Sequence, residues 1–235
     1  MIIALNNKCN LTKNEFIEYQ NELSKLKSSS KIILCPTHLN ISLFNIENVE
    51  LGSENVSSTS KGAYTGEICA EQLKSYGVKY SIVGHSERRE YQRETLDEIN
   101  KKIRNLFDND IIPILCIGET KEERDNNKVE EVLEKELTTA ISGLSEEEKD
   151  KLIIAYEPIW SIGTGIIPTI EEINEVFEFI KTILNNSKIL YGGSANEKNI
   201  DILKTSSLID GYLLGGLSLK PTELQIFINK LENNN

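Results

Sequence analysis

The chain has 235 residues, of which 39% are hydrophobic and 27% are charged, and its formal net charge at pH 7 is −11. This length and apolar content predict a substantial core, folded as one large α/β domain or as two small ones. The acidity argues against binding to a nucleic-acid backbone, which needs a basic surface, but it leaves room for a small phosphorylated molecule in a local pocket.

We expect neither an export signal nor a membrane-spanning segment in this sequence. No apolar stretch is long enough to span a bilayer, and the first five residues lack the basic region and cleavage site of a signal peptide. The four cysteines are scattered, so neither a structural zinc site nor a disulfide framework is expected. We therefore expect a cytoplasmic protein with reduced thiols, no membrane partner and no metal.

Short apolar runs alternate with helical periods along the chain. The runs predict strands at residues 2–5, 32–35, 49–51, 80–83, 111–116, 152–156, 189–191 and 208–214. Most of them are continuously apolar, which is typical of a parallel sheet covered on both faces. Apolar residues at helical spacing follow at 96–107, 170–184 and 224–231. Thr169 with Glu172 forms a capping box, and Pro221 suits a first helical turn.

Eight strand–helix alternations predict an α/β fold of the (β/α)8-barrel type, as a single domain over residues 1–235. A doubly wound open sheet is the alternative. Pro113 stands inside the fifth predicted strand, where a missing N–H group is unfavourable in a central position.

Three groups suited to proton transfer each follow one of these strands, namely Lys8, His85 and Glu157. A parallel barrel would bring them together at the mouth formed by the C-terminal ends of its strands. Taken singly, each has an ordinary alternative: a solvated lysine, a packed or surface histidine, and a surface carboxylate. The second histidine, His38, has no such setting, and we expect it in an exposed loop.

The surroundings of Glu157 favour a base beneath a lid. A carboxylate directly after an apolar strand is partly desolvated, which predicts a raised pKa. The following residues 158–165 contain one proline and two glycines around an apolar segment, the composition of a hinged lid. Glycine pairs at 192–193 and 215–216 follow the last two strands, where barrel enzymes bind phosphate through backbone N–H groups.

Six segments, in order along the whole chain, resemble the triosephosphate isomerase family. They are Asn6 to Lys8, Gly84 to Arg89, Cys116 to Glu119, Ala155 to Gly165, Tyr191 to Ser194, and Gly215 with Gly216. The resemblance implies a barrel enzyme of glycolysis and gluconeogenesis that interconverts glyceraldehyde 3-phosphate and dihydroxyacetone phosphate without a cofactor.

The same resemblance implies roles for individual residues. Glu157 would be the base, His85 a neutral electrophile and proton shuttle, and Lys8 an electrostatic clamp. The substrate would be bound by Asn6, Lys8, Gly163, Ser194, Gly215 and Gly216. Glu87, as a partner of Lys8, and Glu94 would hold the catalytic groups in place without contacting the substrate.

The resemblance also implies a homodimer, but the chain departs from the family near the expected interface. Asn7 stands where the family usually has tryptophan, Cys9 where methionine is more frequent, and Glu54 where glutamine is usual. The loop 58–67 resembles the one that inserts into the partner subunit, with Thr65 at its tip. We therefore expect Cys9 and Thr65 at a dimer interface that these exchanges could weaken.

Two other functions fit the same sequence. The chain could be a barrel that has lost turnover and acts as a sensor of a phosphorylated metabolite or as a partner-binding protein. It could also be another phosphate-binding barrel isomerase or lyase, which the segment around Glu157 disfavours.

Overall fold

The computed structural model describes residues 1–164 and 166–232. Their eight parallel strands close into a barrel in chain order, and the first strand pairs with the last. The strands are β1 (Ile2–Asn6), β2 (Lys31–Cys35), β3 (Val49–Ser53), β4 (Tyr80–Val83), β5 (Ile112–Ile117), β6 (Ile153–Tyr156), β7 (Lys188–Tyr191) and β8 (Gly211–Leu214). The predicted (β/α)8 barrel is thus confirmed. Residues 233–235 lie outside the described residues, so the domain boundaries 1–235 stay a prediction.

Helices occupy the connections between these strands. They are α1 (Lys13–Leu23), α2 (His38–Ile41), α3 (Ala70–Ser75), α4 (Ser86–Gln92), α5 (Leu96–Phe107), α6 (Lys121–Asp125), α7 (Val129–Ala140), α8 (Glu146–Lys151), α9 (Ile170–Ile183), α10 (Ile200–Leu203) and α11 (Pro221–Glu232). The predicted capping box of Thr169 and Glu172 begins α9, and Pro221 is the first residue of α11. None of the described helices is long and apolar enough to cross a membrane.

The strands differ from the prediction mainly at the eighth. Residues 208–210 are not strand, although Ile209 is buried, because the register of β8 with both of its neighbours begins at Gly211. Pro113 does lie in β5, at its second residue. The register of β5 with β6 begins only at Ile114, so the backbone N–H group that Pro113 lacks is not needed to pair β5 with β6.

Two packed regions explain the continuously apolar strands. One face of each strand points into the barrel, where Ala4, Ile33, Ile82, Ile114 and Leu190 fill the interior. The other face packs against the helices, as Ile3, Leu34, Val83 and Leu115 do. Since both faces are covered, the polar ends of the strands are left at the two mouths of the barrel.

Candidate active site

Glu157 and His85 form a close pair at the C-terminal mouth. Glu157 directly follows β6 and is only 3% exposed, and its Oε1 lies 3.1 Å from Nε2 of His85. Its Oε2 accepts a hydrogen bond of 3.4 Å from the N–H group of Ser86. The carboxylate is therefore buried, but it faces two donors rather than an apolar wall.

The backbone around His85 selects one tautomer of its ring. Gly84 adopts φ +69°, which turns the chain after β4, and His85 then caps the N-terminus of α4. Its Nδ1 accepts the N–H group of Glu87 at 3.2 Å. A nitrogen that accepts this bond carries no proton, so the neutral ring has its proton on Nε2, which faces Glu157.

Each member of this pair shifts the pKa of the other. Burial raises the pKa of Glu157, but His85, the Ser86 N–H group and Lys8 outweigh burial and lower the pKa below its ordinary value. The predicted rise is therefore wrong for this arrangement. Burial lowers the pKa of His85, and the carboxylates of Glu157 and Glu87 outweigh that effect and raise it. Glu157 is consequently an ionised acceptor at neutral pH.

Lys8 lies beside this pair, at the end of β1. Its backbone has φ +53°, and its N–H group donates to the side chain of Asn6 at 3.0 Å. Its Nζ donates to Oε1 of Glu87 at 2.6 Å, so the expected ion pair is present. The side chain of Lys8 also lies close to the loop after β8, since a Cβ placed on Gly215 would be 3.2 Å from Cε of Lys8.

Glu94 lies behind His85 rather than in the cleft. It is buried, and it accepts hydrogen bonds of 2.5 Å from both Arg88 and Lys102. It also accepts the N–H group of Gly84 at 3.3 Å. Its carboxylate thus holds the residue that precedes the histidine.

A cleft of about 360 Å³ joins these groups to the glycine loops. Its lining includes Asn6, Lys8, His85, Glu157, Gly163, Gly192, Gly193, Ser194, Gly215 and Gly216. All the residues expected to contact a substrate therefore lie around one space. The hydroxyl group of Ser194 donates to the carbonyl of Ser161 at 2.7 Å, which ties the loop after β7 to the lid segment.

The lid segment starts from a buried anchor that the sequence analysis did not identify. Trp160 lies in a short 3₁₀ turn and donates from Nε1 to Glu119 at 2.9 Å. Glu119 is fully buried and also accepts from Arg124 at 2.8 Å and from the hydroxyl of Tyr156 at 3.0 Å. Glu119 follows an apolar strand just as Glu157 does, and that signal could have found it. Gly165, the last residue of the predicted lid, lies outside the described residues.

Two further positions differ from expectation. Asn7 is 1% exposed and donates to the Tyr19 hydroxyl at 3.4 Å and to Oγ of Ser218 at 3.3 Å, so its side chain is buried within the fold of this chain. His38 is not in an exposed loop: it begins α2, is half-buried, and its Nε2 lies 2.8 Å from the carbonyl oxygen of Asn55. Cys9 and Thr65 are exposed.

The described residues form a closed parallel barrel that places a carboxylate, an imidazole and an ammonium group around one glycine-lined cleft at the mouth where barrel enzymes carry their active sites. Residues 1–231 match the family model described as triosephosphate isomerase. Similar proteins include the triosephosphate isomerases of Clostridium botulinum, 40% identical over 97% of this chain and 98% of the relative, and of Dictyoglomus turgidum, 42% identical over 94% and 95%. That of Clostridium tetani is 38% identical over 97% and 95%. The chain belongs to the triosephosphate isomerase family, and it is an isomerase of triose phosphates, a glycolytic enzyme.

Proposed function

We propose that this protein interconverts glyceraldehyde 3-phosphate and dihydroxyacetone phosphate by proton transfer through an enediolate. The observation that carries the proposal is the Glu157–His85 pair, with 3.1 Å between Oε1 and Nε2, in the cleft that the glycine loops line. The pair offers a base for a carbon-bound proton and a donor for the neighbouring oxygen. Both are needed to move hydrogen between adjacent carbons.

Glu157 acts as the base. It takes a proton from C1 of dihydroxyacetone phosphate, the electron pair of that C–H bond forms the C1–C2 double bond, and the negative charge moves to the oxygen on C2. The protonated Glu157 then returns its proton to C2. Because the carboxylate is buried and ionised, it is poised to accept the proton without first losing a hydration shell.

His85 transfers protons to and from the substrate oxygens on C1 and C2. Its Nε2–H donates to the substrate carbonyl in place of Glu157 once the substrate enters. The ring then passes the proton of the C1 hydroxyl to the oxygen on C2, which leaves an aldehyde at C1. The raised pKa of His85 comes mainly from its contact with Glu157, which the substrate replaces, and the bond from the Glu87 N–H group to Nδ1 then supports the neutral form that the family resemblance implies.

Lys8 and the glycine loops hold the charge and the phosphate. The ammonium group of Lys8, placed by Asn6, stabilises the negative charge that develops on the enediolate. Gly163, Ser194, Gly215 and Gly216 line the same cleft, where N–H groups can approach phosphate oxygens closely. Glu87 and Glu94 keep Lys8 and the His85 loop in place.

The working assembly is a homodimer in the cytoplasm. Residues 61–67 are exposed along their whole length, and Tyr64 in this loop is 52% exposed. A second cleft, of about 290 Å³, borders Lys8 and Cys9 and offers a place for the corresponding loop of another copy. This arrangement would put Thr65 of one subunit beside the active site of the other.

Steady-state turnover of glyceraldehyde 3-phosphate by purified Glu157→Gln and His85→Gln variants tests the proposal. Glutamine preserves the shape of residue 157 and removes the base, so we expect kcat to fall by about 10³-fold while substrate is still bound. His85→Gln should lose kcat in the same way. Near-normal turnover by Glu157→Gln would refute the assignment, and binding without turnover by the unmodified protein would favour a sensor.

A further inference from the structure

We propose that Arg89 and Glu136 are positioning residues that set the separation between His85 and Glu157. Neither lines the main cleft: Arg89 lies on α4 and Glu136 on α7, and both side chains are largely buried. The inference rests on the proposed role of His85 and adds two residues to the machinery that places it.

One guanidinium group joins the ends of two strands. Nε of Arg89 donates to the carbonyl oxygen of Gly84 at 2.8 Å, and Nη2 donates to that of Cys116 at 2.5 Å. Gly84 immediately precedes His85, and Cys116 lies near the end of β5. The remaining nitrogen, Nη1, pairs with Oε1 of Glu136. The planar fork of arginine fixes these three acceptors in one geometry.

Glu136 extends the connection to the base. Its Oε2 accepts the N–H group of Gly118 at 3.0 Å. Gly118 packs directly on Glu157, since a Cβ at residue 118 would lie 1.8 Å from the Glu157 carbonyl oxygen. The N–H group of Glu157 in turn donates to the carbonyl oxygen of Ile117 at 2.7 Å. The ends of β4, β5 and β6 are thus linked in series, from the histidine to the carboxylate.

This pair is better explained by positioning than by stability. Two buried charges lose hydration, and an apolar pair of the same volume is often as stable or more stable. What an apolar pair cannot do is hold the carbonyls of Gly84 and Cys116 and the N–H group of Gly118 at once. The His85–Glu157 geometry depends on those backbone groups, and a misplacement of about 1 Å can cost about 100-fold in rate.

The test is an Arg89→Lys variant. Lysine keeps the charge and can still pair with Glu136, but it cannot also hold both carbonyl oxygens. We expect kcat to fall by about 10-fold to 100-fold, with KM changed by less than about threefold. The imidazole ¹⁵N resonances of His85 should shift as well. The chain has two histidines, so a His38→Gln variant assigns the spectrum.

Asp210→Asn is the matched control. Asp210 also accepts a strand N–H group, that of Ile189 at 3.0 Å, and pairs with a cation, Lys188 at 2.9 Å. It precedes β8 and therefore lies at the opposite mouth of the barrel. We expect this variant to lose some thermal stability while kcat and the His85 resonances stay as they are in the unmodified protein.

Each outcome decides the inference. Unchanged kcat and unchanged His85 resonances in Arg89→Lys would overturn it, and so would an equal loss of kcat in Asp210→Asn. If Arg89→Lys does not fold, Glu136→Gln replaces it, and we again expect a fall in kcat and a shift of the His85 resonances. Normal turnover in His85→Gln would instead refute the proposed role of the histidine. An inactive His85→Gln beside a normal Arg89→Lys would refute only the positioning.

Discussion

At the scale of single residues, Lys8 shows how the local backbone serves the site. A non-glycine residue at φ +53° is uncommon, and here the conformation brings the ammonium group to the mouth of the barrel, beside Glu87 and Gly215. The conformation is held by Asn6, whose side chain accepts the N–H group of Lys8. The positive φ and the charge together support the electrostatic role that we propose for Lys8.

Replacing Lys8 by methionine tests that role. The change keeps most of the side-chain volume and removes the charge, so we expect kcat/KM to fall by about 10²-fold to 10³-fold, the usual cost of losing one donor to a developing oxyanion. Steady-state kinetics measure it. Lys31→Met, at the opposite mouth and paired with the Tyr80 hydroxyl, is the control and should keep its kcat/KM. Equal kinetics in the two variants would contradict the assignment.

The sequence identified which residues gather at the site better than it described their surroundings. Lys8, His85 and Glu157 could be predicted because each is a polar residue at the end of an apolar strand, and the barrel brings those ends together. The lowered pKa of Glu157 could not, since it depends on the 3.1 Å contact with His85, which is 72 residues away in sequence. The same holds for Asn7, whose inward orientation depends on Tyr19 and Ser218.

At the scale of elements, the segment after β6 combines a fixed start with an exposed glycine. Trp160 is anchored to Glu119, while Gly163 is exposed and adopts φ +71°. Proline at residue 163 would remove the N–H group proposed to bind phosphate and would impose a negative φ. We expect Gly163→Pro to raise KM and to lower kcat together, by about 10-fold or more each, in steady-state assays.

Gly163→Ala separates the two effects of the proline. Alanine keeps the N–H group, and a Cβ at this position meets open space, so its only cost is the positive φ. The loss in this variant should be clearly smaller than in Gly163→Pro. Kinetics of Gly163→Pro equal to those of the unmodified protein would refute a lid function for the segment.

A carboxylate at the end of the last helix binds the segment that precedes β2. Glu232, at the end of α11, accepts hydrogen bonds from the hydroxyls of Ser28 (2.6 Å) and Ser30 (2.8 Å) and from the N–H groups of Ser29 (3.0 Å) and Ser30 (3.0 Å). Burial opposes its ionisation, but these bonds outweigh burial and lower the pKa to about 2. The contribution to stability is therefore present above the ordinary pKa and is lost as the pH falls toward 2.

We expect Glu232→Gln to lower the free energy of unfolding at pH 7 by about 1.5–3 kcal/mol, the usual value of hydrogen bonds to a charged group. The difference from the unmodified protein should shrink as the pH is lowered from 5 to 3, in urea titrations. Glu223→Gln, on the same helix, loses only an exposed ion pair with Lys220 and should change stability by less than about 0.5 kcal/mol. A stability difference between Glu232→Gln and the unmodified protein that does not change with pH would contradict the stabilising role of the ionised Glu232 carboxylate.

At the scale of the whole molecule, the fold could be predicted because the sheet is covered on both faces. Continuous apolar runs mark β1, β2, β4 and β6 closely, since the residues of such a run after the first of each strand are buried by the interior or by a helix. The eighth strand was placed too early because half-buried Leu208 and buried Ile209 have the same composition as a strand. The apolar composition of a segment reflects its burial, whereas the residue at which a strand begins depends on where it starts to pair with the neighbouring strand.

The assembly is tested by the size of the protein in solution. We expect twice the subunit mass by analytical ultracentrifugation at micromolar concentration, because an exposed loop and a second cleft beside Lys8 are available to pair. Thr65→Arg, which adds bulk and charge at the loop tip, should shift the protein toward the single-subunit mass. Lys61→Gln, in the same exposed loop, is the control. A single-subunit mass for the unmodified protein would contradict the dimer.

The central claim is that Glu157 moves a proton between adjacent carbons of a triose phosphate. Its most direct test is ¹H NMR of glyceraldehyde 3-phosphate incubated with the purified protein in ²H₂O, with Glu157→Gln alongside. A carboxylate that holds the proton can exchange it with solvent, so we predict dihydroxyacetone phosphate carrying deuterium at C1, formed by the unmodified protein and lost in the variant. Product without any deuterium, labelled product formed equally by Glu157→Gln, or no product from the folded protein would contradict the claim.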